Sequence, residues 1–299
     1  MYIEQVNNKH FNPFLYIPIP FLFLGLIVLN FFSTQDLDVD KIMHQMIKTF
    51  GVNGTFVLLI GPLSFACVML LLWVKYIHKQ SITSLTTARR KIDWKRIFVS
   101  FSIWGAISIA STLIVFYNNP DFLFINYNPE KFFSFLAIAI VLIPLQTSFE
   151  EYFFRGYLMQ GIGVVTRSKL FPFLFTSIAF GLMHLGNPEV EKMGYIILIY
   201  YIGTGLFLGI ITLMDDGLEL ALGFHAANNL IGALLITADW TAFQTHSIFK
   251  DVSEPSAGFD VLLPVFVIFP ILLYIFSKMY KWPNWKEKLT GKLPFVERY

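Results

Sequence analysis

Eight apolar runs, at about residues 13–32, 54–74, 97–117, 132–160, 170–187, 193–213, 217–238 and 258–277, dictate what this chain can become. A helix needs about 20 apolar residues to cross the hydrocarbon core, and runs this long are rare in segments that do not span. Composition agrees: 56% of the residues are hydrophobic and only 14% charged, against about 25% charged in an average soluble domain. A soluble protein of this size could not cover its surface with so few charges. Eight spans use a little over half of the 299 residues, which leaves no room for a sizeable soluble domain. The expectation is an all-α, polytopic membrane helix bundle forming one integral membrane domain over residues 1–299. The first run is longer than the core of a signal peptide and lacks small residues where a peptidase would cut, so it reads as a retained helix. Cys67, the one cysteine, lies in an apolar run, which excludes an internal disulfide and a cysteine-based metal cluster. A formal net charge of +2 gives no basis for nucleic-acid binding.

Charge distribution orients the spans. Lys75, Lys79, Arg89, Arg90, Lys91, Lys95 and Arg96 crowd between the second and third runs, opposed only by Asp93. Lys278, Lys281, Lys286, Lys288, Lys292 and Arg298 follow the eighth, in a basic tail over residues 278–299. Placing both segments in the cytoplasm requires an even number of spans and puts both termini inside. Lys9, Arg155, Arg167 and Lys169 then join them on the inner side, against Lys41, Lys48, Lys131, Lys192 and Lys250 outside. The resulting bias, seventeen to five, supports eight spans with N-in, C-in topology. Trp282 and Trp285, beside tail lysines, read as an interfacial anchor. The outer loops, 33–53 and 239–257, carry no legible chemistry.

Ionisable residues inside the spans carry the functional information. The fourth run holds Glu150, Glu151 and Arg155, the fifth ends on Phe180 and His184, and the seventh holds His225 and Asn229. Glu151 and Arg155 are four apart and share a helical face, where they can pair. Glu150 points about 100° away and has no basic partner at that spacing. His225 and Asn229, also four apart, present an imidazole and an amide on one face. Each group also has a structural reading: an ionised helix end at the interface for the first, a hydrogen-bonded packing histidine for the others. A rise of about 1.5 Å per residue places Glu150 ~15 Å, His184 ~18 Å, His225 ~12 Å and Asn229 ~18 Å from the inner face. This common level requires the fourth helix to continue through Arg155.

Groups of this kind suit hydrolysis. A carboxylate at low dielectric can take a proton from water as general base. A histidine can hold that water or donate to the leaving amine, and a second histidine with an asparagine can donate to a developing oxyanion. Glu150, His184 and His225 could instead hold a Zn2+ ion that activates the water. Spacing does not separate these options, although the His-Glu-x-x-His zinc helix is absent.

Together, Glu150-Glu151-x-x-x-Arg155, Phe180-x-x-x-His184 and His225-x-x-x-Asn229 resemble, in order and spacing, the signature of the CPBP family. These are the CAAX prenyl protease and bacteriocin-processing or self-immunity (Abi) intramembrane proteases. The resemblance covers about residues 130–240. It implies an endopeptidase with a cavity open to the cytoplasm, in which Glu150 activates water with help from His184 while His225 and Asn229 line the oxyanion side. Glu151, Arg155 and Phe180 take supporting roles. Family members are commonly named metalloproteases, and a metal-free glutamate mechanism is also entertained for them. The implied partners are the bilayer and a peptide or protein substrate, prenylated or not. The chain fits the bacterial branch best, and hence a bacterial inner membrane. Two rivals carry different functions: a non-catalytic scaffold or self-immunity protein, and a transporter, for which Gly203, Gly205 and Gly209 would allow mobile helix packing.

Overall fold

Side-chain caps begin three of the long helices. Asp38 accepts from the Lys41 amide, Asp93 from that of Lys95 and Asn128 from that of Lys131, each satisfying an amide that the first helical turn leaves without a partner. The computed structural model describes residues 1–6, 11–34, 38–256 and 258–294; Lys9 and Arg298, both used to orient the chain, lie outside them. The helices are α1 (Pro18–Thr34), α2 (Val39–Tyr76), α3 (Ile82–Thr86), α4 (Trp94–Asn118), α5 (Pro129–Glu151), α6 (Met159–Thr166), α7 (Leu170–Leu182), α8 (Pro188–Met193), α9 (Leu198–Asp215), α10 (Glu219–Leu235), α11 (Phe259–Leu263), α12 (Phe269–Tyr280) and α13 (Trp285–Thr290). α2 bends at Gly51, whose φ of 70° lies in the left-handed region that glycine tolerates.

Among the described residues, five helices are long and apolar enough to cross a membrane: Asp40–Tyr76, Trp94–Asn118, Pro129–Thr166, Tyr195–Asp215 and Val261–Tyr280. The chain is thus a polytopic helical membrane protein. Pro13–Leu29 and Leu170–Gly186 are shorter apolar helices. α10, which carries His225, has 17 residues, about 25 Å of rise. It packs along α4 and α5, while α5 also lies against α2, and α7 pairs with α9. The principal core gathers Phe149, Phe153, Phe154, Phe180, Phe207, Phe224 and Phe269 between these helices. Phenylalanine abundance is therefore an interior as well as a lipid-facing feature.

Two findings depart from the sequence reading. The chain is not wholly α: Leu123–Ile125 (β1), Ile236–Thr237 (β2) and Phe249–Asp251 (β3) form a small sheet in the order β1-β3-β2. β3 runs antiparallel to β1 and parallel to β2, and so ties the α4–α5 connection to the segment that follows α10. Trp282, read as an interfacial anchor, is 7% exposed, and its Nε1 donates to Asp215 Oδ1 at 3.0 Å. It packs into an ion-pair cluster instead of resting at a lipid surface, whereas Trp285 stays exposed.

That cluster closes the basic end of the bundle. Arg89 bridges Asp215 and Glu219, Arg96 also reaches Asp215, and Lys288 of α13 pairs with Asp216. The buried Tyr2 donates its hydroxyl to the Leu85 carbonyl at 2.6 Å, and its amide reaches Asp216 at 3.3 Å. The N-terminal segment, the α2–α4 connection, the α9–α10 turn and α13 thus meet at one end.

Candidate active site

α5 does not stop at the paired glutamates. It passes directly into a π-helical turn, Tyr152–Leu158, and on into α6; such insertions recur at functional sites. Arg155 sits in this turn and is fully buried. Its Nη1 donates to Glu151 Oε1 at 3.0 Å, its Nη2 to the Gly205 carbonyl at 3.1 Å, and its guanidinium lies 4.3 Å from the Phe180 ring centre. Both ends of the fork and one face are therefore held. The α9 backbone comes this close because residue 205 has no side chain: a Cβ there would lie 2.4 Å from the Ser177 carbonyl oxygen of α7. Ser177 Oγ donates to the same Gly205 carbonyl at 3.0 Å.

Glu151 is a hub. Its Oε1 also accepts from His225 Nδ1 at 2.8 Å, so one buried oxygen joins α5, the π turn and α10. A ring whose Nδ1–H points at a carboxylate presents a lone pair at Nε2 when neutral. That Nε2 lies 3.7 Å from Glu150 Oε2, which is buried and has no hydrogen-bond partner. The other oxygen, Glu150 Oε1, accepts from Gln146 Nε2 one turn earlier on α5.

Asn229 is linked to Glu150 through Gln146. Its Nδ2 donates to Gln146 Oε1 at 3.2 Å, and its Oδ1 accepts from Asn228 Nδ2 at 3.0 Å. Asn228 Oδ1 accepts from Trp104 Nε1 at 3.0 Å and the Tyr200 hydroxyl at 3.2 Å. His184 stands apart from these three. It lies in a 3-10 turn after α7, with Nδ1 2.8 Å from the Phe180 carbonyl and its ring stacked on Tyr201 at 4.3 Å. The Phe180 ring contacts both imidazoles, at 5.0 Å from His184 and 5.8 Å from His225. The structure therefore brings Glu150, His225 and Asn229 into one polar cluster and joins His184 to it through an aromatic ring.

Among the described residues, no group of three or more His, Cys, Asp and Glu side chains is arranged to hold a metal ion. Nδ1 of His225 is turned to Glu151 and Nδ1 of His184 to the Phe180 carbonyl, which leaves Nε2 of each ring available, that of His225 3.7 Å from Glu150 Oε2. As placed, Glu150, His184 and His225 do not form such a group.

Sequence reasoning did not single out Gln146, Asn228, Trp104, Tyr200 or Tyr201. Gln146 carried a usable signal, an intramembrane amide one turn from Glu150, and Asn228 another as the neighbour of Asn229. The three aromatics had none in a chain with 17% aromatic residues.

The family-model match falls on the region that carries Glu150, His184, His225 and Asn229. Residues 129–231 match the family model of the type II CAAX prenyl endopeptidase, Rce1-like. A protein of Bacillus subtilis (strain 168) named "Uncharacterized protein YyaK" is 32% identical over 226 residues, which cover 73% of this chain and 71% of the relative. No solved structure matches.

Proposed function

Because the chain belongs to the family of Rce1-like type II CAAX prenyl endopeptidases, we propose that it is an intramembrane endopeptidase with Glu150 as general base. It hydrolyses a peptide bond near the C-terminus of a membrane-associated or lipidated protein or peptide. The observation that carries this reading is the unequal state of two adjacent carboxylates. Glu151 Oε1 is held by two ring or guanidinium donors, Arg155 and His225, whereas Glu150 is bound only by the neutral Gln146 amide at Oε1. Each carboxylate keeps an Oε2 without a hydrogen bond, and that of Glu150 faces His225 Nε2 across 3.7 Å. A water at that edge gives a proton to Oε2 as its oxygen attacks the scissile carbonyl carbon. The C–N bond then breaks, and the Oε2–H bond returns the proton to the leaving amine. His184, with Nδ1 turned to the Phe180 carbonyl, offers Nε2 to hold the water. Asn229 has a second amide hydrogen for the oxyanion, and His225, held through Nδ1 by Glu151, lines the same side.

We infer eight spans with both termini in the cytoplasm. The seventeen-to-five bias and the meeting of the N-terminal segment, basic loop and tail at one end support this topology. The Bacillus relative supports a bacterial cell membrane. Detergent-purified protein incubated with C-terminal CAAX peptides, farnesylated and unmodified, tests the activity by mass spectrometry. Cleavage that Glu150→Gln abolishes is the expected result. Retained cleavage by that variant overturns the general-base assignment. Metal analysis of the same sample, with chelator in the assay, separates carboxylate from zinc activation, since only the latter loses activity on chelation. Terminal proteomics of membranes with and without the protein identifies the substrate.

A further inference from the structure

The hydrogen bonds behind Glu150 form a chain with a direction, and one residue sets it. Trp104 of α4 carries an indole N–H, which can only donate. It reaches Asn228 at 3.0 Å, so the atom it meets is the amide oxygen, and Asn228 Nδ2 turns towards Asn229. The same logic passes along the line: Asn229 accepts with its oxygen and donates to Gln146, and Gln146 accepts with its oxygen and donates to Glu150 Oε1. Tyr200 adds a second donor to Asn228 at 3.2 Å. Trp104, Gln146 and Glu150, at the two ends of the line, are buried, and Asn228 and Asn229 between them are half-buried.

We propose that Trp104, Asn228 and Gln146 are positioning residues that select which oxygen of Glu150 does the chemistry. With Gln146 donating to it, Oε1 is held as an acceptor, and a proton arriving on Glu150 is directed to Oε2. That is the oxygen without a partner, facing His225 Nε2. The relay also occupies one amide hydrogen of Asn229 and leaves the other for an oxyanion. Three helices, α4, α5 and α10, thereby fix the orientation of one carboxylate. The inference rests on the reading of Glu150 as the base.

The test uses full-length protein in the peptide-cleavage assay, reading kcat, KM, pH profile and melting temperature. Titratable groups near Glu150 are Glu151 and Arg155 along its own helix and His225 on α10, and the turn after α7 places His184 near His225 and Arg155. Gln146→Leu removes the last donor. Asn228→Asp keeps both acceptor contacts to Trp104 and Tyr200 but loses the N–H, which reverses the chain and points the Gln146 oxygen at Oε1. Both variants are expected to lower kcat about tenfold or more with KM nearly unchanged. Both also move the acid limb of the pH–rate profile upward by about half a unit to one unit, because ionised Glu150 has lost its donor. Trp104→Phe, which keeps the ring against Phe224, gives a smaller shift in the same direction. A simple packing role would lower melting temperature and yield without moving that limb. An unmoved acid limb in the folded variants overturns the proposal, and Trp104→Phe decides it if the polar changes do not fold. Loss of cleavage by Glu150→Gln alongside unshifted relay variants would remove the relay alone; retained cleavage by Glu150→Gln would remove the base assignment and the relay with it.

Discussion

His225 donates through Nδ1 to Glu151 Oε1 at 2.8 Å, the same oxygen that Arg155 grips at 3.0 Å. One carboxylate thus neutralises a buried guanidinium and sets the tautomer of an imidazole on another helix. Removing one partner of a buried pair leaves an uncompensated charge, at a cost of about 3–5 kcal/mol. Glu151→Ala is therefore expected to reduce folded yield and melting temperature sharply in detergent. An unchanged melting temperature would show that Arg155 finds another anion or is not charged.

Arg155→Lys should fail as a conservative change. A lysine retains the charge but not the planar fork that reaches both Glu151 and the Gly205 carbonyl, nor the face presented to Phe180. Loss of one charge-assisted hydrogen bond and the stacking is expected to cost about 2–3 kcal/mol. Thermal melts of the wild type, Arg155→Lys and Arg155→Met rank the contributions; Lys equal to wild type would deny the fork any role.

Gly205→Ala tests the α7–α9 contact. The added methyl would fall 2.4 Å from the Ser177 carbonyl oxygen, far inside contact distance, so the helices must separate. Overpacking of this kind costs about 1–3 kcal/mol. Here it also moves the carbonyl that accepts from Arg155 and Ser177. Lower melting temperature and lower cleavage activity should appear together, and wild-type values for both would contradict the close approach.

Local relationships were legible in the sequence, and distant ones were not. Glu151 and Arg155 are four apart, so helical geometry alone puts them on one face. The contact of His225 with Glu151 spans 74 positions, and that of Trp104 with Asn228 spans 124; both depend on how α10 packs against α4 and α5. The π turn at Tyr152–Leu158 leaves no mark in hydropathy, because its residues are as apolar as those of an α-helix. β3 is three residues long, too short for alternation to register. Trp282 misled because a tryptophan beside lysines looks the same whether it meets lipid headgroups or, as here, a buried aspartate.

Acid sensitivity provides a test at the basic end of the bundle. His78, just beyond the membrane segment of α2, is buried between Tyr16 and Tyr157, with Nε2 3.2 Å from the Tyr157 hydroxyl. Burial pushes its imidazole down to about 4, against about 6.5 in an unfolded chain. Above the unfolded value neither state binds the proton, and the folded state keeps its full stability. As pH falls from about 6.5 towards 4, the unfolded chain takes up a proton that the folded chain refuses, so stability is lost across that window. The loss amounts to about 2 kcal/mol by pH 5. His78→Gln retains a polar group facing Tyr157 but does not titrate. Melting temperatures of wild type and variant at about pH 7.5, before the transition, and about pH 5, well into it, should show a steeper acid decline in the wild type. Parallel declines would mean that His78 is protonated in the folded protein or that the unfolded chain shields it.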